Sequence, residues 1–479
     1  MSETAVIGAG VGGLAAAARL AAAGHKVAVY EQAPEIGGKL GRYERDGYLF
    51  DTGPSLLTLP QVFADLGLEL DPVPLDPVVR HVFPDGSVLD SSSDPEVFRE
   101  RIADAFGAGA AADWGRFWKR AERIWAASWR SVLQREVSPA TLARLSWRLG
   151  DLAAIAPGRT LRTLGRHYLR DWRLRMMLDR YATYTGADPR RAPAALAAIP
   201  YAELAFGGWY LPGGLGVLGS ALLDRCRALG VTIHTSAPVT AIRTSAGRAT
   251  GVCVAGSDVP ADLVVSDVDA QTLYRDLLPS PSHLAGLSDR SLAGFVLLLG
   301  VRGETPRLAH HTVLFPRDYD AEFDAVFGDP AHGRRARPPS DPTVFVTRAE
   351  DPAVHPPGTE AWFVLVNAPR HGRAAGAVDW ERPGLAAAYA DHILDVLAAR
   401  GFDVRDRLDF VETRTPADLA AATGAPGGAI YGTAGGLLRP GNRGPVSGLY
   451  LVGGSTHPGG GLPMVTLSAK IVADAIGPA

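Results

Sequence analysis

The hydrophobic pattern at the start of the chain predicts a strand, a helix and a second strand. Residues 4–8 form a short apolar run that ends in glycine, residues 14–23 are rich in alanine and leucine, and residues 26–30 are again apolar. Short apolar runs beside turn residues are typical of buried strands, whereas alanine and leucine are strong helix formers. Two strands joined through a helix are usually parallel, so the pattern indicates a β–α–β unit.

Similar patterns continue in the middle and at the end of the chain. The predicted elements are a helix at 217–229, strands at 231–235, 239–243, 250–254, 262–266 and 449–452, and a helix from Pro463 to about residue 475. Polar turn residues between 239–243 and 250–254 predict that these two strands pair. A chain of 479 residues is long enough for about two or three structural units.

No segment is predicted to cross a membrane. The longest uncharged apolar run after the N-terminal region, residues 292–301, is much shorter than the ~20 residues of a spanning helix. Residues 5–23 are apolar, but no basic segment precedes them and Arg19 interrupts them, so an export signal is not expected.

The amino-acid composition further narrows the class of protein. Hydrophobic residues make up 47% of the chain and charged residues 21%, as in ordinary globular proteins. The net charge of −3 gives no reason to expect a nucleic-acid partner. Two cysteines, Cys226 and Cys253, cannot form a disulfide framework or a cysteine-rich zinc site. We expect a cytoplasmic protein without a structural metal, and the sequence makes no prediction of oligomeric state.

Glycines follow the first strand at the spacing of a dinucleotide-binding turn. Gly8, Gly10, Gly12 and Gly13 lead into the first helix, and Glu31 ends the second strand about 20 residues later. Such glycines allow a tight turn, a close approach to a pyrophosphate and close helix–strand contact, and the acid suits a ribose hydroxyl pair. The helix N-terminus favours the phosphate anions. These residues predict a nucleotide site.

A second glycine-rich segment comes directly after the acid. It contains a glycine pair and two cations and leads to a strand and a turn, with the candidate residues Gly38, Lys39, Arg42, Gly53, Pro54 and Ser55. One interpretation is a loop and a hairpin with solvated basic side chains. The other is a second approach of backbone to a longer ligand, whose phosphates need Lys39 or Arg42.

The C-terminal region contains five glycines in the nine residues 453–461. Each glycine gives up side-chain contacts and adds conformational entropy cost, so this density indicates close passage of a large flat ligand. Proline suits the first turn of the helix that follows. The candidate residues are Gly453, Gly454, Gly461, Pro463 and Met464.

These segments resemble the flavoprotein superfamily of amine oxidases, protoporphyrinogen oxidases and carotenoid desaturases, which implies bound FAD. Residues 453–463 resemble the C-terminal signature of the bacterial phytoene desaturase family. The resemblance extends to residues 209–214, 310–312, 425–432 and 439–443, the last two most like the branch acting on hydroxylated or partly desaturated carotenoids.

The resemblance adds two details at the cofactor. It places the backbone of Val239 near the adenine, and we favour this interpretation over the alternative that Val239 is simply a core residue of a strand. Some amine oxidases attach the flavin through a cysteine near the C-terminal glycines. No cysteine follows Cys253 in this chain, so we expect non-covalent FAD.

The sequence and this resemblance together predict an α/β protein, α+β overall. The expected units are a Rossmann-like FAD-binding domain (1–75, 205–285 and 440–479), a β-sheet substrate domain (76–105 and 286–439) and a helical cap (106–204).

The resemblance also implies an FAD-dependent oxidoreductase that introduces C=C bonds into a long lipophilic polyene by hydride transfer to flavin N5. Because an allylic cation is delocalised along the polyene, no strong base is required, and the protein supplies orientation and a dry site. His457 could accept the proton or orient the ring, or could be a turn residue before Pro458. The alternatives are an amine or porphyrinogen oxidase, or a flavin-dependent isomerase or oxidase of another lipophilic product.

Residues 114–191 are unusually basic and rich in tryptophan. Trp114, Trp118, Trp125 and Trp129 recur at helical spacing on one face. One interpretation is a cap with tryptophan inside and arginine in solvent. Another is peripheral docking on the inner face of the cell membrane, since tryptophan suits the headgroup region and cations meet anionic lipids. Nucleic-acid binding is not favoured, because no binding motif accompanies the charge.

Overall fold

The computed structural model describes residues 2–137, 147–434 and 439–479. Its strands are β1 (Glu3–Ile7), β2 (Lys26–Tyr30), β3 (Arg42–Arg45), β4 (Tyr48–Asp51), β5 (Leu57–Thr58), β6 (Val73–Pro74), β7 (Arg80–Val82), β8 (Val88–Asp90), β9 (Gly208–Tyr210), β10 (Thr232–His234), β11 (Val239–Ser245), β12 (Arg248–Val254), β13 (Ser257–Pro260), β14 (Leu263–Ser266), β15 (Ala293–Arg302), β16 (His311–Leu314), β17 (Val344–Arg348), β18 (Thr359–Ala368), β19 (Arg370–His371), β20 (Ala377–Val378), β21 (Leu408–Arg414) and β22 (Leu449–Leu451).

Its α-helices are α1 (Val11–Ala22), α2 (Pro95–Phe106), α3 (Ala108–Ser128), α4 (Leu149–Ile155), α5 (Leu161–Tyr168), α6 (Trp172–Arg180), α7 (Ala198–Phe206), α8 (Gly216–Ala228), α9 (Ala270–Thr272), α10 (Pro281–Ala285), α11 (Tyr319–Phe327), α12 (Leu385–Ala399), α13 (Pro416–Thr423) and α14 (Leu462–Ile476). Short 3-10 or π turns occur at Pro60–Leu66, Trp129–Leu133, Tyr181–Thr185, Ala194–Ala197, Leu273–Leu277, Pro330–His332, Arg405–Arg407 and Pro426–Gly428.

A five-stranded parallel sheet has the order β10–β2–β1–β14–β22. Val6 and Val29 at its centre are fully buried, because helices cover one face of the sheet and the three-stranded sheet β11–β12–β13 covers the other. The predicted strand–helix–strand unit is confirmed, with boundaries shifted by up to three residues. The sheet draws its strands from the beginning, the middle and the end of the chain.

The first and last helices pack against each other beside this sheet. α1 contacts α14 and α8, and its alanines at positions 15–18 are buried. The thiol of Cys226 in α8 donates to the backbone carbonyl of Leu14 in α1 at 3.3 Å. Because small side chains let helix backbones approach closely, the alanine-rich sequence of α1 allows both chain ends to share one core.

A seven-stranded mixed sheet has the order β21–β15–β18–β17–β16–β7–β8. Its pairs are antiparallel except β16 with β7. α12 contributes Tyr389, Ile393 and Leu397 to the core that also holds Trp362 of β18. Its seven strands all lie within residues 76–105 and 286–439.

Helices α2 to α7 form a third group around Phe98, Trp114 and Leu174, and this core continues into the mixed sheet through Leu89 and Val313. No helix among the described residues is both long and apolar enough to traverse a bilayer.

We propose the three-unit division given above as the domain organisation. Its support is that the parallel sheet, the mixed sheet and the helical group use chain segments that fall largely within the three sets of boundaries. Residues 138–146 of the proposed cap and 435–438 of the proposed substrate domain lie outside the described residues.

Candidate cofactor and active site

The carboxyl ends of four parallel strands meet at one edge of the five-stranded sheet. β1 leads to Gly8, β2 to Glu31, β14 to Asp267, and β22 through Val452 to Gly453. In open parallel sheets, this edge is where ligands bind. The structure therefore brings the predicted N-terminal and C-terminal glycine segments to one place, and adds Asp267, which the sequence analysis missed.

The first glycine turn has no room for side chains. A Cβ on Gly13 would overlap the carbonyl oxygen of Gly8, and a Cβ on Gly12 would lie 3.0 Å from the Cα of Gly453. Gly8 has a φ of +96°, in the region that favours glycine. The turn thus requires glycine for its own geometry, and it leaves a bare backbone surface at the start of α1.

Two helices begin at this edge without a side-chain cap. α1 starts after Gly10 and α14 starts after Gly461, and neither has an acidic residue in its first turn. By contrast, Asp51 accepts hydrogen bonds from the N–H groups of Leu215 and Gly216 at the start of α8. The positive dipole ends make the N-termini of α1 and α14 suitable for anionic or electron-rich ligand groups, although the N–H of Gly13 in α1 already donates to Asp267.

Glu31 lies next to the glycine turn and is buried. Its carboxylate accepts hydrogen bonds from the N–H groups of Ala9 at 2.7 Å and Ala33 at 2.9 Å. Its carbonyl oxygen accepts from the N–H of Ala237, which brings the beginning of β11 and the predicted residue Val239 to the same edge. The acid is therefore held in a fixed position beside the turn.

Asp267 places a carboxylate against the same turn. Its oxygens lie 2.5 Å and 2.6 Å from where Cβ atoms on Gly10 and Gly12 would be. Burial, with a smaller contribution from the charge of Glu31, raises the pKa of Asp267 to about 7, against the opposing effects of the N–H of Gly13 and the charge of Lys39. The group can therefore change its charge near neutral pH.

The two predicted cations have different positions. Lys39 is directed inward, and its Nζ donates to the carbonyls of Ala429 at 3.0 Å and Ile430 at 2.6 Å. Burial lowers the pKa of Lys39 to about 8, partly offset by the charge of Asp269. Arg42 is exposed and donates to the carbonyl of Gly213, so the structure does not bring it to the glycine turn.

The second glycine segment packs directly on the first. Gly37 donates to the carbonyl of Ala9, and a Cβ on Gly38 would lie 3.4 Å from the Cα of Gly10. A Cβ on Gly53 would overlap the carbonyl oxygen of Lys39.

Pro54 and Ser55 continue from Gly53 toward the mixed sheet. The hydroxyl groups of Ser55 and Thr347 are hydrogen-bonded at 2.8 Å, and the Nε2 of buried His311 contacts the Ser55 carbonyl at 3.2 Å. This segment connects the edge of the parallel sheet to the mixed sheet.

The C-terminal glycine block faces Tyr431 and Arg439. A Cβ on Gly460 would overlap the Tyr431 ring, and Arg439 donates to the carbonyl of Gly454 at 3.3 Å. Pro463 occupies the first turn of α14 and is buried, whereas Met464 is half-buried. The block therefore forms a backbone surface between these two side chains and the uncapped end of α14.

His457 is buried within this block and is hydrogen-bonded to the cap. Its Nε2 contacts the carbonyl of Val132 at 3.1 Å. Its own carbonyl accepts from Asn442 and Ser468, and burial lowers the pKa of its imidazole. The neutral ring joins the C-terminal block to the π turn that follows α3, and a catalytic role for His457 stays a prediction.

A buried ion pair fixes the loop that follows Asp267. Arg290 donates to Asp269 at 2.6 Å, and both side chains are at most 5% exposed. Asp269 also accepts from the N–H of Gln271 at the start of α9. Sequence analysis missed this pair, because 21 residues and no shared motif separate its members.

Comparison with known proteins agrees with this geometry. The family model of flavin containing amine oxidoreductases matches residues 11–477. The chain is 34% identical to a 4,4'-diapolycopene oxygenase of Methylomonas sp, over 98% of this chain and 97% of that protein. It is 30% identical to a 1-hydroxycarotenoid 3,4-desaturase of a Flavobacterium, over 99% of both chains. It is 35% identical to a hydroxyneurosporene desaturase of Cereibacter sphaeroides, over 98% of this chain and 96% of that protein.

Among solved structures, an oxidoreductase from Methanosarcina mazei aligns with a TM-score of 0.67 and 19% identity, over 98% of this chain and all of that one. The chain belongs to the family of flavin containing amine oxidoreductases, and FAD is its cofactor.

Proposed function

We propose that this FAD-dependent oxidoreductase introduces C=C bonds into a carotenoid-type polyene. The observation that carries the proposal is the full-length match, at 30–35% identity, to relatives named as carotenoid desaturases and an oxygenase. The mixed sheet reaches the nucleotide edge through the contacts of Ser55 with Thr347 and His311, and we propose that the substrate binds on this side.

We propose that the nucleotide edge binds FAD along its whole length. The N–H of Gly12 at the start of α1 would hold the pyrophosphate, and Glu31 would accept from the ribose. Val239 would lie at the adenine, and Lys39 would supply a cation on the phosphate side. These assignments rest on the bare backbone at Gly13 and on the fixed position of Glu31.

The flavin ring would lie on the C-terminal backbone surface formed by residues 453–461. No side chain of Gly453, Gly454 or Gly461 would stand in its way, and the uncapped start of α14 at Pro463 and Met464 would face its pyrimidine end. When bound, the flavin supplies the capacity to accept a hydride. The partial positive charge at the start of α14 stabilises negative charge that develops on a neighbouring group.

In this arrangement the protein positions the substrate and excludes water. Gly53, Pro54 and Ser55 would pass the flavin on the side of the mixed sheet, with Ser55 held by Thr347 and His311. Both cysteines are buried, Cys226 against α1 and Cys253 in β12, which supports the proposal of non-covalent FAD. Arg42 would act only at the rim, since it is exposed.

Substrate identity can be tested by expression in hosts that each make one polyene precursor. A desaturase adds double bonds, so we expect the absorption maximum of at least one precursor to shift to longer wavelength. An amine or porphyrinogen oxidase with the same FAD site would leave all pigment spectra unchanged and would oxidise its own substrate class. Flavin-loaded protein that changes no pigment but consumes an amine would overturn the desaturase proposal.

FAD binding is expected to weaken as pH rises through neutrality. Asp267 is neutral below its pKa of about 7 and negatively charged above it, beside the proposed pyrophosphate site. If the protein binds FAD well only when Asp267 is neutral, the dissociation constant of FAD rises about tenfold from pH 6 to pH 8. Loss of charge on Lys39 above pH 8 acts in the same direction. Titration of apoprotein with FAD, followed by quenching of flavin fluorescence, measures the effect.

Asp267→Asn is the matched variant for this prediction. The amide keeps the size of the side chain and cannot ionise, so its dissociation constants at pH 6 and pH 8 should agree within about twofold. An equally steep pH dependence in the variant would assign the effect to another group.

We also propose that the cap docks on a membrane as a peripheral surface. Trp118, Trp125 and Trp129 are only half-buried, and Phe206 is 37% exposed beside Trp125. Trp147 is 86% exposed. Tryptophan at this exposure suits the headgroup region, and a polyene substrate has to enter from lipid.

Not every cation of helix α3 is free to meet lipid. Arg116 is paired with buried Asp113, and Arg120 donates to the carbonyls of Ala153 and Ala154. Both therefore also stabilise the cap. Lys119 and Arg123 are exposed on the same helix and are better choices for a test.

Reversing both charges in the variant Lys119→Glu/Arg123→Glu is expected to weaken binding to anionic vesicles about 30-fold or more. The reason is that each basic residue at an anionic surface contributes about 1 kcal/mol. Sedimentation with phosphatidylglycerol-containing liposomes measures this. Arg373→Glu/Arg382→Glu, also an exposed pair, is the control and should sediment like the native protein. If the α3 variant sediments with the liposomes as well as the control variant does, docking through α3 is rejected.

A further inference from the structure

A partly buried arginine of the C-terminal region has N–H groups without a partner. Arg439 Nη1 donates to the carbonyl of Tyr431 and, at 3.3 Å, to the carbonyl of Gly454. The Nε and Nη2 of Arg439 donate no hydrogen bond to the described residues, and the guanidinium forms no ion pair with a carboxylate among them. The fold therefore holds this cation in place and leaves part of it free for a ligand.

Arg439 lies against the backbone surface that we propose for the flavin ring. A Cβ on Gly459 would lie 3.1 Å from the Nε of Arg439, and Gly454, which accepts from its Nη1, belongs to the same surface. Gly459 has a φ of +138°, a conformation that favours glycine. The guanidinium is therefore next to residues 453–461 at two points.

The charges around Arg439 leave it without an anion of its own. Asp269 is paired with the buried Arg290 at 2.6 Å. Burial, with a smaller contribution from the charge of Arg290, lowers the pKa of Arg439 to about 10. The charge of Asp269 offsets only part of this effect. A poorly compensated cation away from bulk water is costly, so its position indicates a ligand that carries negative charge.

FAD has two regions that can supply this charge, the pyrophosphate and the ring after reduction. The proposed pyrophosphate position is the glycine turn beside Asp267. Lys39 is close enough to Asp267 for that carboxylate to raise its pKa. The pKa of Arg439 responds instead to Asp269 and to Tyr431, whose ring lies against the C-terminal glycine block. Lys39 is thus the cation on the phosphate side, and Arg439 is the cation on the ring side.

A cation beside the ring favours its reduced form. A hydride brings two electrons with its proton, so the ring gains one negative charge on accepting it. Charged N–H donors stabilise such a charge more strongly than neutral donors do. The start of α14 acts in the same direction, but a helix dipole is equivalent to only about half an elementary charge. The full charge of Arg439 should therefore have the larger effect.

We propose that Arg439 donates to the flavin ring and raises its reduction potential, which makes the oxidised ring a stronger hydride acceptor. This inference rests on the proposed position of the ring on residues 453–461 and holds for any substrate that the ring oxidises. The redox balance is that of the proposed reaction. The substrate loses a hydride and a proton, the ring is reduced by two electrons, and Arg439 keeps its own proton.

The test measures the midpoint potential of the flavin in FAD-loaded protein without any polyene. In Arg439→Met, the affinity for reduced FAD relative to oxidised FAD should fall at least tenfold, which for a two-electron couple lowers the potential by about 30 mV. Arg443→Met is the control, because it removes an arginine from the same loop that is 55% exposed and paired with Glu136. This control should keep the native potential.

Two further variants separate charge from shape if Arg439→Met retains no flavin. Arg439→Gln can still donate to the Gly454 carbonyl but carries no charge, so its potential should fall at least as far as that predicted for Arg439→Met. Arg439→Lys keeps the charge, and its potential should lie closer to the native value than to that of Arg439→Gln.

A native potential in the uncharged variants, or an equal fall in Arg439→Lys, would overturn the inference. Weaker binding of oxidised FAD with an unchanged potential would assign Arg439 to cofactor retention alone and would also overturn it. If the potential falls as expected but no polyene is oxidised by the native enzyme, the inference stands and the proposed function is wrong.

Discussion

Gly13→Ala is expected to yield folded protein that retains no FAD. The added Cβ would overlap the carbonyl oxygen of Gly8, which is fixed by its position after the central strand β1. The overlap can be relieved only by moving the start of α1 away from the strand. The N–H group proposed to hold the pyrophosphate would then be displaced, and we expect FAD affinity to fall at least 100-fold.

The measurement is the flavin absorbance of the purified protein relative to its absorbance at 280 nm, with circular dichroism to establish folding. Gly115→Ala is the control, because Gly115 lies within helix α3 and a Cβ there meets nothing within 4 Å. Alanine favours a helix over glycine by about 1 kcal/mol, so this variant should keep native flavin content. Native flavin content in Gly13→Ala would contradict the proposed phosphate site.

Asp269→Ala is expected to lower the free energy of unfolding by about 3–5 kcal/mol. Its removal leaves Arg290 buried without its carboxylate, and breaking one side of a buried ion pair has a cost of this size. Two of the Arg290 nitrogens already have no partner among the described residues, so the side chain has few alternatives. The pair also joins the loop after β14 to the segment that leads into β15, so its loss should loosen the contact between the two sheets.

Urea unfolding followed by circular dichroism measures this effect. Asp276→Ala removes a carboxylate only a few residues away, whose pair with Arg275 is 45–51% exposed. Exposed pairs contribute about 0–1 kcal/mol, so this control should unfold almost like the native protein. Equal destabilisation in both variants would show that the buried pair has no special role.

The nucleotide-binding unit could be predicted from sequence because its signals are local. Each signal lies within one strand–turn–helix segment, where glycine and proline directly determine the backbone conformation. The segments contain Gly8 to Gly13, Glu31 and the helix that begins near Pro463. The resemblance to the flavoprotein superfamily and the α/β fold class are confirmed.

Other parts of the site depend on contacts between distant segments. Asp267 follows a strand with no motif, and only the parallel order of β1, β14 and β22 places it at the glycine turn. Lys39 and Arg42 are equivalent cations in the sequence, but the fold buries one and exposes the other.

The periodicity of the tryptophans predicted that all four lie on a common face of α3. This prediction is correct for part of the set. Trp114 is 2% exposed within the core of the cap, whereas Trp118 and Trp125 are half-buried and Trp129 lies beyond the end of the helix. Helical spacing indicates which residues share a face, but it does not show how far a neighbouring helix covers that face.

The most direct test of the account is an anaerobic single turnover of the FAD-loaded enzyme with a hydroxylated polyene in liposomes. Each double bond formed removes two electrons from the substrate, which one flavin can accept. We predict that the flavin band near 450 nm bleaches while the polyene band shifts to longer wavelength, with one flavin reduced per double bond formed. A flavin that stays oxidised while a range of polyenes is left unchanged, but that is bleached by an amine, would contradict the account.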